Sequence, residues 1–459
     1  MFNQILQKMK MNKFFVALLA TSFALASCSM EDGASSKKGD GKDTYAGVSI
    51  SIPVGFLTKA EDPTAGISGE KTITTIGVYI VDQNNFRLDY MVLTSAQFTG
   101  PVTDANNRSV YTATAAVPTV TGNKKVYVVA NPNVAMQTKL ASSGSTFMNA
   151  IPFGMAETNF LNTSGTTLNS MVISGAYTAT GGILDMTTVM TAADAVQTAN
   201  LVPITIQRNL SKAVVQQGSS YAVIGGTTTL TWAPMNNAND AYLLPQSAGT
   251  LYSTIPGGAE SNASHAYWNN FSTPVAGDFI PVLAYGGSDA KTAAYDQSKY
   301  MFENMPTTFH QGNTTAVRIK GIFVPANTYT GITAGVPSPA TGTITSGQDF
   351  YRSKIDGSYW TQAGRDAAIT AGYNSHSAVA DFTYYQGGVG YYTIWVNDGA
   401  GNKGVKRNGY YLMQINEVRG PGIPDPIVPP LPPVEDDTNL GVVITVLNWD
   451  YMKSEQNIQ

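Results

Sequence analysis

Apolar residues recur at every second position in short runs along this 459-residue chain, and Gly, Asn, Asp, Ser and Pro separate the runs. That period fits β-strands with one buried face and does not fit helices, which repeat every 3.6 residues. The clearest run is Val48, Ile50, Ile52 and Val54, alternating with Ser49, Ser51 and Pro53. Pro53 has no N–H for a ladder, so it marks an edge position. The same reading predicts strands at 73–81, 110–115, 125–129, 171–174, 202–206 and 212–216. A second set is predicted at 227–232, 279–283, 315–324, 382–385, 391–396 and 410–418, with a short helix within 190–199. The chain begins again at Gly218-Ser219-Ser220, so the expected fold is all-β with two β-sandwiches. Composition agrees: 13 % of residues are charged, against about 25 % in an average domain, while Gly (44) and Tyr (24) are plentiful. The net charge is −4 with no long basic run, which argues against nucleic acid as a partner. One cysteine, Cys28, excludes an intramolecular disulfide and a cysteine zinc site.

The N-terminus reads as an address. Lys8, Lys10 and Lys13 precede an apolar stretch from Phe14 to Ala26, the length of a secretory signal and too short to span a bilayer. Leu25-Ala26-Ser27-Cys28 resembles the lipobox of bacterial lipoproteins, so residues 1–27 are expected to be removed and Cys28 lipidated. Ser29-Met30-Glu31-Asp32 resembles the acidic signal that sends some Bacteroidales lipoproteins to the outer surface, and residues 29–43 read as a flexible tether.

At the other end, seven of the thirteen residues from Pro421 to Pro433 are proline, a composition that favours polyproline II and cannot enter a sheet interior. One more alternating run follows, with Leu440, Val442, Ile444 and Val446 on one face. Left exposed, such a strand is an aggregation hazard. It either serves another molecule or folds back onto its own domain.

Motifs for catalysis are missing. His265, His310 and His376 have no His or Cys at metal-ligand spacing and read as loop or surface residues. There is no Gly-x-Ser-x-Gly elbow and no phosphate-binding loop. Asp381 and Asp398 read as solvated turn residues, and 398–404 as a hairpin tip. No metal, no cofactor and no enzymatic activity are expected.

Several segments, in order, resemble the fimbrillins, the pilus subunits of Bacteroidales, with the likeness to the minor-fimbria shaft subunit strongest. They are Ile76–Val81, Lys124–Asn131 with its Val-Tyr-Val-Val, Ile204–Ala213 with its Arg-x-x-Ser-Lys-Ala, and Thr231-Trp232 through Leu243. Phe302-Glu303-Asn304, Thr315–Ile319, Lys406–Leu412 and Thr445-Val446-Leu447-Asn448-Trp449 complete the series. The resemblance implies two tandem transthyretin-like β-sandwich domains, 60–217 and 218–420. Before them lie a signal peptide (1–27) and a lipidated propeptide (28–59); after them lies a spacer with a donor strand (421–459). It implies a shaft subunit, exported as an outer-membrane lipoprotein and assembled into an extracellular pilus for adhesion and biofilm formation. A trypsin-like protease is expected to cut Lys59–Ala60, with Lys71 as the fallback. The strand bearing Val48, Ile50, Ile52 and Val54 then departs. Leu440, Val442, Ile444 and Val446 of a neighbouring copy enter the groove it leaves, capped by Trp449. Partners are further copies of the chain, accessory anchor and tip pilins, and the protease. A glycan-binding β-sandwich lipoprotein is the rival reading; it accounts for the lipid and the aromatics but not for the proline segment and the last strand.

Overall fold

The structure, a computed structural model, describes residues 41–52, 66–84, 87–105, 108–142, 157–237, 242–244, 276–306, 309–397, 403–425, 433–436 and 439–448. Cys28, Val54, Lys59, Ala60, His265, Asp398 and Trp449 lie outside them. The described residues are mostly β-strand with few helices, as the alternating pattern requires.

In the first half, one sheet runs in the order Gln207–Arg208, Ile173–Ala176, Gly122–Ala130, Thr75–Asp82, Leu88–Thr94, with Leu184–Met186 also pairing with Gly122–Ala130. The facing sheet runs Val202–Thr205, Val48–Ile52, Ser109–Ala113, Phe98–Thr103. Thr75–Asp82 is buried along almost its whole length, as expected for a strand covered on both faces. The predicted short helix is present at Ala192–Ala195, capped by the Thr191 hydroxyl.

In the second half, Ile280–Pro281, Gly226–Met235, Ala316–Pro325 and Val389–Trp395 form one sheet. Lys299–Phe302, Leu210–Val223, Gly409–Val418 and Leu440–Asn448 form another. This last sheet is a wall shared by two cores. Leu210, Val214, Tyr410 and Leu412 pack into the core of the first half, whereas Ala213, Val215, Tyr411 and Met413 pack into that of the second. The strict alternation of side chains along a strand makes this possible. Gly218-Ser219-Ser220, read as a new beginning, lies inside Leu210–Val223 at a register shift against Gly409–Val418.

Residues 326–388 form an insertion between two strands that pair with each other, Ala316–Pro325 and Val389–Trp395. It holds a five-stranded sheet and the helix Gln362–Ala371, started by a Thr361 cap and ended by Gly372 in the left-handed conformation (φ 60°). His376, expected at the surface, is buried here. Its Nε2 lies 2.9 Å from Ser353 Oγ and its ring stacks 4.6 Å from Phe382. Asp381 does hold a turn: its carboxylate accepts the N–H groups of Ser377 (2.7 Å) and Ala378 (2.9 Å), which keep it below the usual carboxylate range.

The C-terminal end departs from the expected free spacer. The strand Leu440–Asn448 has a local partner, Gly409–Val418, which it joins antiparallel from Val418↔Leu440 to Gly409↔Asn448. The fold-back arrangement is therefore the one adopted by the single chain. The proline segment is attached as well: Tyr385 Oη donates to Gly422 O (2.8 Å), and Tyr391 and Ile423 exchange two backbone hydrogen bonds. Proline composition dictates an extended backbone, but its carbonyls remain free to accept, and ordered donors of the sheet reach them.

Burial raises the pKa of Tyr79, Tyr300 and Tyr410 above the ordinary tyrosine value. Their stabilising contribution is complete below the unfolded value of about 10 and is lost as pH rises toward the folded values. The melting temperature should therefore fall steeply above pH 10, with tyrosinate absorbance appearing together with unfolding. Tyrosinate that titrates fully at pH 10 in the folded protein would contradict the burial.

Candidate functional site

The two strands singled out in the sequence sit in different surroundings. Val48–Ile52 lies in the interior of its sheet. It pairs in parallel with Val202–Thr205, from Val48↔Val202 to Ser51↔Thr205, and antiparallel with Ser109–Ala113, from Ser49↔Thr112 to Ile52↔Ser109. Val48, Ile50 and Ile52 are 1 %, 0 % and 1 % exposed, so the alternation read in the sequence buries one face completely. Pro53, read as an edge marker, follows the last described residue of this interior strand; the strand itself has neighbours on both sides.

Among the described residues, Leu440–Asn448 is an edge strand with a single neighbour. Leu440 is buried, Val442 and Ile444 are half-buried against the second core, and Val443 is 49 % exposed. Val446 stands opposite Tyr411 in the register. The structure does not bring this strand near Val48–Ile52; the two belong to different sheets.

Between them lies a buried polar seam that the sequence did not reveal. Glu70, in the turn Ser68–Glu70, has no exposure. Its Oε1 accepts from Lys212 Nζ (2.6 Å) and Tyr300 Oη (2.5 Å), and its Oε2 accepts the Ile67 N–H (2.8 Å). Lys212 Nζ also donates to Ala293 O (2.7 Å) and lies 5.3 Å from the Tyr410 ring centroid. Burial lowers the Lys212 pKa, and the adjacent Glu70 carboxylate opposes the fall. Arg208 donates from Nε to Glu70 O (3.1 Å) and from a terminal nitrogen to Asn408 Oδ1 (2.9 Å). Arg407 pairs with Glu303 (2.9 Å) and reaches the carbonyls of Tyr242 and Leu244. Residues of four of the resembling segments thus meet in one network, whose visible work is to join the halves of the chain. Glu70 escaped the reading because Ser-Gly-Glu-Lys looks like an exposed polar turn.

The network places Glu70 on the C-terminal side of the expected cut at Lys59 and one residue before the fallback Lys71. Cutting after Lys71 would free Glu70 and leave the Lys212 ammonium buried without its carboxylate, which is strongly unfavourable.

Nothing in this arrangement resembles a catalytic centre. Among the described residues, no group of three His, Cys, Asp or Glu side chains is placed to hold a metal ion. Trp232, Trp360 and Trp395 are buried, as core aromatics are.

Glu70→Ala should destabilise the protein by about 3–5 kcal/mol, the usual effect of orphaning a buried charge, measured by urea denaturation. Adding Lys212→Met should recover much of the loss. A single variant within about 1 kcal/mol of wild type would refute the burial of this pair.

Comparison with known proteins gives one family. Residues 383–455 match the model for the major fimbrial subunit protein type IV, fimbrillin, C-terminal. No curated protein sequence matches the chain. Among solved structures, the chain is similar to a protein of Parabacteroides distasonis ATCC 8503 described as a cell adhesion protein, at 12 % identity and TM-score 0.47, covering 90 % of this chain and 99 % of that one. A fimbrilin from Porphyromonas gingivalis W83 gives 16 % identity and TM-score 0.43, covering 90 % and 99 %. The tip fimbrial protein of Porphyromonas gingivalis gives 12 % and 0.38, covering 89 % and 100 %. TM-scores under 0.5 do not establish a common fold. The match spans Val389–Trp395, Gly409–Val418 and Leu440–Asn448, so the C-terminal part of this chain is similar to the C-terminal region of the fimbrillins, the major fimbrial subunit family.

Proposed function

We propose that this protein is a structural subunit of a pilus shaft, polymerised when the C-terminal strand of one copy replaces Val48–Ile52 in the next. One observation carries the reading: the difference in environment between the two strands. Val48–Ile52 is bonded on both sides and fully buried on one face. Leu440–Asn448 is bonded on one side only, with Val442 and Ile444 half-buried. A strand moving from the second environment to the first gains a second ladder and buries more aliphatic surface. Full burial of one such side chain is worth about 1.5–3 kcal/mol, so even partial gains at Val442 and Ile444 favour the exchange once the slot is empty.

Emptying the slot requires the first strand to leave, and a cut at Lys59–Ala60 severs it from the rest of the fold. The family match at the C-terminal end supports a fimbrial role. In this reading the precursor is lipidated at Cys28, held at the outer membrane and released by a trypsin-like protease. The mature domains are the two sandwiches that share the wall around Leu210–Val223. Contacts of this head-to-tail kind are open-ended and generate filaments rather than closed rings. Anchor and tip pilins would end the polymer.

Purified precursor treated with trypsin should form filaments in the electron microscope, with N-terminal sequence starting at Ala60. A persistent monomer, or a start well inside the first sandwich, would overturn the proposal. Lys59→Ala should leave unassembled precursor, and Cys28→Ser should abolish surface pili in cells.

Ile444→Asp should block polymerisation, because an unpaired carboxylate in the slot costs several kcal/mol. Ile444 is only half-buried at the home edge. The monomer should therefore stay folded by circular dichroism, with a modest drop in melting temperature. Normal filaments from this variant would reject the donor role.

A further inference from the structure

The proline segment is built onto the second half of the molecule at both ends. At its start, Tyr392 Oη donates to Gly420 O, Tyr385 Oη to Gly422 O (2.8 Å), and Arg318 to Asp425 O (3.1 Å). Tyr391 and Ile423 bond each other through both backbone groups (2.7 and 2.9 Å). At its end, Trp395 Nε1 donates to Glu435 O (2.8 Å), Val434 N to Phe309 O (3.2 Å), and Gln311 to Pro433 O (3.2 Å). Val434 packs on Met235, Ala316 and Trp395, and Lys403 pairs with Asp436 at 2.6 Å. The underlying sheet is shaped to receive it. A Cβ at Gly390 would stand 1.5 Å from Pro421 O, and Gly422 takes a left-handed φ of +72°. Arg419 N donates to Asn439 O (2.9 Å), so the segment leaves the sheet and returns to it at neighbouring points.

Apart from the Arg419–Asn439 bond, which departure of the arm would break, none of these bonds lies beyond Asp436, so the strand can leave without disturbing the rest. We propose that the proline segment stays docked on its own subunit when the terminal strand passes to a second copy of the chain, and that the donor arm departs from its subunit beyond Asp436. The proposal rests on the donor-strand reading and adds the geometry of the partner. From Asp436 to Leu440 is four residues, about 13 Å at roughly 3.3 Å per residue. A segment freed from Gly420 onward would instead reach about 60 Å at ~3.1 Å per residue. A docked segment therefore requires the slot of the next copy to open directly beside the Met235, Trp395 and Val434 end of this subunit. The sequence had suggested that the whole segment acts as reach; the structure assigns it to fixing the exit point.

Two disulfide locks test this in purified precursor carrying Cys28→Ser, so that no native thiol competes. His310→Cys with Pro433→Cys joins residues opposed in an isolated bridge and pins the end of the segment. Gln414→Cys with Val443→Cys joins register partners and pins the terminal strand to its home edge. After trypsin, the segment-locked protein should give filaments within about twofold of its reduced form. The strand-locked protein should stay monomeric until reduced. A segment lock that blocks filaments reversibly would overturn the docked-segment proposal while leaving strand donation intact. A strand lock that permits filaments would overturn both. Wild-type filaments give a readout independent of the variants. Carbodiimide should join Lys403 to Asp436 within one subunit in filament and monomer alike, and loss of that cross-link in filaments would refute the proposal.

Discussion

Lys212 and Glu70 bury opposite charges with no solvent contact at the point where the two halves of the chain meet. Removing two such charges from water is costly, and only close pairing with further hydrogen bonds offsets it. Tyr300 Oη, Ala293 O and the Ile67 N–H supply those bonds. Their presence fixes the turn Ser68–Glu70 against the strand that begins at Leu210, and hence fixes the shared wall against the first sandwich. Buried ion pairs contribute little net stability compared with a well-packed apolar core. The role of this pair is to hold the turn Ser68–Glu70 and the shared wall in one arrangement.

The shared wall explains the composition of its strands. Leu210–Val223 begins with seven consecutive buried residues, and Gly409–Val418 with five. Alternation of polar and apolar residues disappears where both faces are covered. At the polar exceptions the side chain is consumed by a partner: Lys212 by Glu70, Ser211 by Lys406 O, and Gln216 by Ser288 O and the Ala290 N–H. The two halves therefore behave as one packed body, and loss of a single strand from the first sheet leaves the wall in place.

Strands were legible in the sequence because period-2 alternation is local; Val48–Ile52 and Leu440–Asn448 needed no other information. Their neighbours were not legible, because pairing joins residues far apart in the chain, such as Val48 with Val202 and Lys212 with Tyr410. The docking of that segment was hidden for a related reason: proline fixes backbone shape, whereas the tyrosine, tryptophan and arginine donors that hold it come from other strands. Of the insertion at 326–388 only the strand at 382–385 was read, although Thr361 and Gly372 bracket a helix in the way caps do. The sequence reading attended to alternation and passed over them. Glu70 was overlooked and His376 misplaced, because polarity alone does not reveal a buried partner.

In the proposed filament, the docked proline segment would also determine how a pulling load is carried. Tension entering through a donated strand would reach its parent at Asp436 and Glu435, and pass at once into Trp395 and Lys403. From there it spreads across Val389–Trp395 and the strands paired with it. A strand drawn along its own axis loads its ladder bonds in shear, all together, whereas a peeled strand breaks them one at a time. An anchorage close to the domain surface keeps the pull aligned with the donated strand. A long free tether would let each subunit swivel and peel. The tyrosines and tryptophan that grip the segment would thus set the rupture strength of a fibre whose links are held by hydrogen bonds and aliphatic side chains alone.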